Sequence, residues 1–180
     1  MNAPVRRIWS TLLLGLAGVS MAVRADAQTF ATATATNHSN GRVIVFRYVE
    51  TFGPGFSKQA QPDRVILVWK YKSEKGMPSV KERERMDELE DALAPHVETE
   101  GFATLALVST GEDLREWTYY TRSQDEFLKR LNAALNGKPA FPIEIHTAAD
   151  PSWTTYETFK SGVVEKPEAA SQTPQPLPPR

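Results

Sequence analysis

The chain has 180 residues, with 21 basic and 22 acidic side chains, a formal net charge of −1 at pH 7, and no cysteine. That balance lacks the basic footprint that nucleic acid or an anionic membrane surface demands. Zero cysteine excludes a lipid-modified cysteine anchor, a thiol nucleophile and the cysteine-based zinc and iron sites, and a chain of this length can bury a core without disulfides.

The first residues have the order of a targeting segment. Arg6 and Arg7 precede an apolar run from Ile8 to Val23, "IWSTLLLGLAGVSMAV", and small residues follow at Ala25 and Ala27 in the A-x-A spacing of a signal peptidase site. The run is shorter than the roughly 18 residues of a membrane span, so a cleaved signal over residues 1–27 is expected and no stable membrane anchor remains after cleavage. Ile8 and Trp9 depart from the fuller twin-arginine pattern, which makes general secretion to the periplasm or the medium the expectation. Cleavage after Ala27 removes three arginines and one aspartate and moves the net charge to about −3.

Residues 28–41 contain "TFATATATNHSNG", which has little apolar bulk to repay ordering of its backbone and is expected to be flexible. A single α+β domain is expected over 42–160. "RVIVFRYV" (Arg42 to Val49) and "RVILVWKY" (Arg64 to Tyr71) are strand-like runs of β-branched and aromatic residues. After "EKGMP", Ser79 and Glu82 form a capping box ahead of Met86, Leu89 and Leu93 at helical spacing. The charged stretch from Lys81 to Asp91 is then the solvated face of that helix.

"FATLALVST" and "REWTYYTR" flank Gly111 and predict an antiparallel pair with a short turn. Ser123 and Glu126 repeat the capping box before Phe127, Leu128, Leu131, Ala134 and Leu135, with Gly137 and Pro139 as stop signals. "FPIEIHT" closes the set as a strand. From Arg64 the order strand, helix, strand, strand, helix, strand is that of a ferredoxin-like split βαβ sandwich, an antiparallel sheet with two helices on one face. The strand at 42–49 either extends an edge or folds over the other face.

In "GEDLREWTYYTRS" the charged quartet Glu112, Asp113, Arg115 and Glu116 stands against Trp117, Tyr119 and Tyr120. Alternation along a strand sends Trp117 and Tyr119 into the core beneath the helices and Tyr120 to the opposite face. There Tyr120, with Glu144 and His146 from the last strand, would line a concave polar surface on a helix-free face. In "ADPSWTTYETF", Asp150 is placed to cap a short helix with Pro151 at its first position, and Trp153, Tyr156 and Phe159 recur at intervals of three. That aromatic stripe is either a lid on the sheet or an exposed anchor for a partner. The remaining segment, 161–180, is rich in proline and expected to be disordered.

"GMPS", "ERMDELEDAL", "GFATLALVSTGEDLREWTYYT" and "DPSWTTYETF" together resemble the bacterial domain of unknown function 695 family, whose members pair a strand of G-x-x-E-x-x-Y-Y type with a late D-P-x-W-x-x-Y segment. The similarity covers roughly residues 60 to 159. Some relatives resemble fusions to a domain like the regulator that inhibits ribonuclease E, whereas the segment after Phe159 here is proline-rich. The resemblance supplies no activity and no catalytic residue.

The functional expectation is an exported, non-enzymatic interaction or ligand-binding domain with a protein or small-molecule partner. Its ligand or partner surface would draw on Tyr120, Glu144, His146, Asp150, Trp153 and Tyr156. Ser109, Thr110 and Ser152 have no nucleophile elbow, and His38, His96 and His146 are scattered, so no catalytic residue, metal or cofactor is expected. The alternative is a periplasmic hydrolase working with paired carboxylates, Glu144 and Asp150.

Overall fold

The computed structural model describes residues 28–164; the expected signal segment 1–27 and the proline-rich stretch from 165 onward lie outside the described residues. Within the described residues, six strands and three α-helices follow one another. They are β1 (Thr29–Thr36), β2 (Val43–Thr51), β3 (Asp63–Lys70), α1 (Val80–Val97), β4 (Ala103–Gly111), β5 (Leu114–Thr121), α2 (Gln124–Leu135), β6 (Ile143–Ala149) and α3 (Thr154–Val164). The strands form one sheet in the order β1-β2-β4-β5-β3-β6, with all neighbours antiparallel. The protein is an α+β sandwich.

Local chemistry sets the element ends. Ser79 accepts from the Glu82 amide while the Glu82 carboxylate reaches back to the Ser79 amide, closing the full capping box of α1. At α2 only half of the expected box forms: Ser123 accepts from the Glu126 amide, but the Glu126 carboxylate bonds Arg130 one turn on. Helix α1 runs past Pro95 to Val97, because the buried Val97 side chain keeps its last turn docked on the core. The β4–β5 turn places Glu112 and Asp113 at φ 53° and 65°, and Gly111 is required where a Cβ would come within 2.6 Å of the Val43 carbonyl. Arg42 binds Asp113 at 2.8 Å across this corner, so the front of the charged quartet holds a turn together.

Successive strand residues point to opposite faces, and each face of the sheet has its own core. Val65, Leu67, Trp69, Leu105, Val108, Trp117 and Tyr119 pack beneath Met86, Leu89 and Leu93 of α1 and Phe127 and Leu131 of α2. Tyr120 points the other way into a smaller cluster with Val49, Ala106, Trp153 and Tyr156. This face is therefore not helix-free, as the alternation alone suggested: α3 lies on it.

Two further expectations are corrected. Residues 29–36, expected to be flexible, pair along their whole length with β2. The bulk their Thr/Ala sequence lacks comes from neighbours, since β2 supplies the hydrogen-bond ladder and Ala31 and Ala33 are half-buried toward α3. Helix α3 starts at Thr154, not beside Asp150, and continues to Val164. The strand expected over 42–49 extends the edge formed by β4. Among the described residues no helix is long and apolar enough to cross a membrane.

Candidate functional site

Four of the six residues singled out in the sequence meet in one buried knot. The Tyr120 ring stacks on Trp153 with centroids 3.8 Å apart and planes 7° from parallel. Its hydroxyl donates to Asp150 Oδ2 at 2.8 Å and accepts from the Tyr156 amide at 3.3 Å. Asp150 also accepts from the amides of Thr154 at 2.8 Å and Thr155 at 3.3 Å, so its carboxylate satisfies the open donors at the start of α3. Burial pushes this carboxyl up, but those two amides and the Tyr120 hydroxyl outweigh burial and hold it below the usual carboxylate range.

Trp153 donates its indole N–H to the carbonyls of Gln61 at 2.9 Å and Lys58 at 3.1 Å, and Tyr156 donates its hydroxyl to the Val49 carbonyl at 2.6 Å. Burial pushes the Tyr156 phenol up to about 12, so it stays a donor at any physiological pH. Trp153 has φ 55°, a left-handed conformation for a bulky residue, and the surrounding contacts hold it there.

The other two residues lie elsewhere. Glu144 and His146 stand on the outer strand β6, more than half exposed, where Glu144 binds Lys70 at 2.8 Å and His146 lies 3.8 Å from the Glu144 carboxylate. The hydrogen bond from Lys70 holds the Glu144 carboxyl below its ordinary range. Tyr120 thus shares no polar surface with them. Nor do Glu144 and Asp150 form a catalytic pair. Along β6, Glu144 sits opposite Val68 and Ala149 opposite Asp63. At about 3.3 Å per residue that is roughly 16 Å of strand, well beyond the roughly 5–10 Å of paired carboxylates.

The knot positions something else. Phe52 and Phe56 stack on each other at 4.2 Å and both set their edges against Trp153, which fixes the Gly53-Pro54-Gly55 loop between them. Gln61, buried beneath Trp153, donates through Nε2 to the Gly101 carbonyl at 3.0 Å. Gly101 belongs to a tight turn in which Glu100 has φ 55° and its carbonyl accepts from Arg122 at 3.1 Å. Between the loop and this turn opens a cleft of about 420 Å³, walled by Phe56, Glu98, Glu100 and Arg122 and floored by Ala103 and Thr104, with Gln28 on its rim.

Within that wall the Glu98 carboxyl is pushed up to about 7, first by burial and then by the nearby Glu90 carboxylate, against the pull of Arg47. Glu90 itself is occupied: it receives the Trp117 indole N–H at 2.9 Å and Arg115 at 3.4 Å, and pairs with Arg47. Tyr119, between these acids, keeps a buried hydroxyl that has no partner among the described residues, and burial holds it protonated. Glu98, Glu100 and Arg122 carried no sequence signal, because their meeting depends on a loop some forty residues away. Among the described residues no group of three or more His, Asp or Glu is placed to hold a metal ion.

No curated protein and no solved structure matches this chain. A family model described as Family of unknown function (DUF695) matches residues 61–160, from the buried Gln61 through β3 into the middle of α3. The chain belongs to the domain of unknown function 695 family.

Proposed function

We propose that the mature chain is an exported, non-enzymatic binding domain that takes an amine-bearing small molecule or short peptide in the cleft between the Gly53–Gly55 loop and the Thr99–Gly101 turn. The observation that carries this reading is the cleft wall. A volume of about 420 Å³ falls in the range of small-molecule sites, and it presents two carboxylates, one of them desolvated, beside the aromatic ring of Phe56. A partly buried carboxyl with few donors of its own gains most from a cation, since the charge pair forms where water screens it least. Arg122, whose guanidinium lies against the Glu100 carbonyl on the same turn, suits a carboxylate on the same ligand. Export rests on the order of basic, apolar and small residues over 1–27.

Binding by Glu98 carries its own pH signature. A cation favours the ionised carboxylate, so affinity should rise as pH passes upward through about 7 and level off above it. The test is a calorimetric titration of the mature protein with a series of alkylammonium and alkylguanidinium compounds and lysine-containing tripeptides. Saturable binding that is lost in Glu98→Gln and weakened in Glu100→Gln supports the reading. Binding unaffected by both substitutions, or absent throughout the series, refutes it.

A further inference from the structure

The two edges of the sheet are built differently. On the outer side, β6 carries Glu144 and His146, with Lys70 beside them, and is bracketed by Pro142 and Pro151. Those are the features that discourage another strand from pairing. At the opposite edge, β1 reads Thr29-Phe30-Ala31-Thr32-Ala33-Thr34-Ala35-Thr36, eight residues without a charge or a proline, whose outer backbone groups face no other strand among the described residues.

Apolar surface gathers at that same edge on both faces. Phe30, 49% exposed, and Val43, 41% exposed, stand on one side. On the other, Ala33 and Ala35 floor a groove of about 370 Å³ walled by Phe46, Phe159, Gly162 and Val163.

We infer that β1 is a dimerisation edge, and that its partner is β1 of a second copy of this chain, paired antiparallel about a twofold axis. A strand of alternating Thr and Ala is complementary to itself when reversed. Any register that sets Ala opposite Ala keeps the alanines of both copies on the α3 side and the threonines on the other. The two grooves then join into one, with Phe159 and Val163 of each copy facing across a floor of alanines. Cross-strand pairs of threonine hydroxyls form on the opposite face. The contact is isologous and closed: it consumes the open edge of each copy, and the charged β6 edges left at the ends stop further growth. The cleft is separate from this edge: it is lined by no residue of β1, only by Gln28 just before it.

The test uses the full mature chain in sedimentation equilibrium over a dilution series, with hydrogen exchange of the β1 amides measured in parallel. Thr34 and Thr36 have exposed side chains and pair with Val45 and Val43 in β2, not with a charged residue, so Thr34→Lys and Thr36→Lys place like charges across the twofold axis without setting them against a charge of the same chain. The expected result is a dimer in the wild type, with protection of the alternate β1 amides that point away from β2. In the double variant we expect a monomer with those amides exchanging fast and an unchanged circular dichroism spectrum. A wild type that stays monomeric at every concentration overturns the inference. So does a dimer that persists in the double variant, or outward β1 amides that are protected in a monomer, which would mean that a segment of the same chain covers the edge.

Discussion

Replacing Trp153 tests how much of the molecule depends on the knot beneath α3. The side chain is fully buried, stacks on Tyr120 at 3.8 Å, and gives its N–H to two carbonyls of the preceding loop. Truncating a buried large aromatic costs about 3–5 kcal/mol, so Trp153→Ala should lose that much in urea unfolding of the mature chain. The backbone here adds a second, sharper expectation. At φ 55° any residue with a Cβ carries about 1–2 kcal/mol of strain, which glycine relieves, while glycine gives back about 0.4–1 kcal/mol through its freer unfolded chain. Trp153→Gly should therefore be at least as stable as Trp153→Ala, inverting the order seen in ordinary helices. Both variants should also lose binding in the cleft, because Phe52 and Phe56 no longer have the indole to pack against. A loss below about 1 kcal/mol in Trp153→Ala would refute the view that this residue locks α3 and the loop to the sheet.

Trp117→Ala should cost about 3–5 kcal/mol, since it removes a buried indole and also one of the donors to Glu90; a loss well under 1 kcal/mol in urea unfolding would show that the strand faces are assigned in reverse. Tyr120→Phe leaves the Tyr156 amide without its acceptor and Asp150 with one donor fewer, and should cost about 1–3 kcal/mol in the same assay. Glu98 has a folded pKa near 7, above its unfolded value, so the folded state holds the extra proton and stability falls as pH rises from about 4.5 to about 7. Glu98→Gln should accordingly melt higher than the wild type at pH 8 and lose that advantage by pH 4; an advantage that is constant with pH would contradict the buried, uncompensated carboxyl. Mass spectrometry of exported protein should find Gln28 at the N-terminus, and an intact Met1 in a membrane fraction would overturn export by cleavage.

What the sequence disclosed follows the range of the interactions involved. The Ser79 and Glu82 box is legible because both bonds close within one turn, and the α+β class follows from runs whose periods are local. The opposed directions of Tyr119 and Tyr120 follow from the pleat alone. The fate of β1 was not legible, because a Thr/Ala strand orders only once β2 and α3 lie beside it. Nor was the role of the aromatic stripe: Trp153 and Tyr156 would read the same on a lid and on a docking surface, and only bonds to Lys58, Gln61 and Val49, some ninety residues or more away, decide it. For the same reason Asp150 looked like a hydrolase carboxylate until its oxygens were found committed to the turn that opens α3.

The Glu98 carboxyl is the centre of the proposed binding cleft. Carbon-13 NMR of the glutamate side chains, with the Glu98 signal assigned by its loss in Glu98→Gln, is titrated with pH in the free mature protein and again at saturation with the tightest-binding alkylammonium compound. The predicted result is a midpoint near 7 in the free protein that moves down toward the ordinary carboxylate range in the complex, because the bound cation stabilises the ionised form. A Glu98 midpoint that is the same with and without the bound compound would contradict the account.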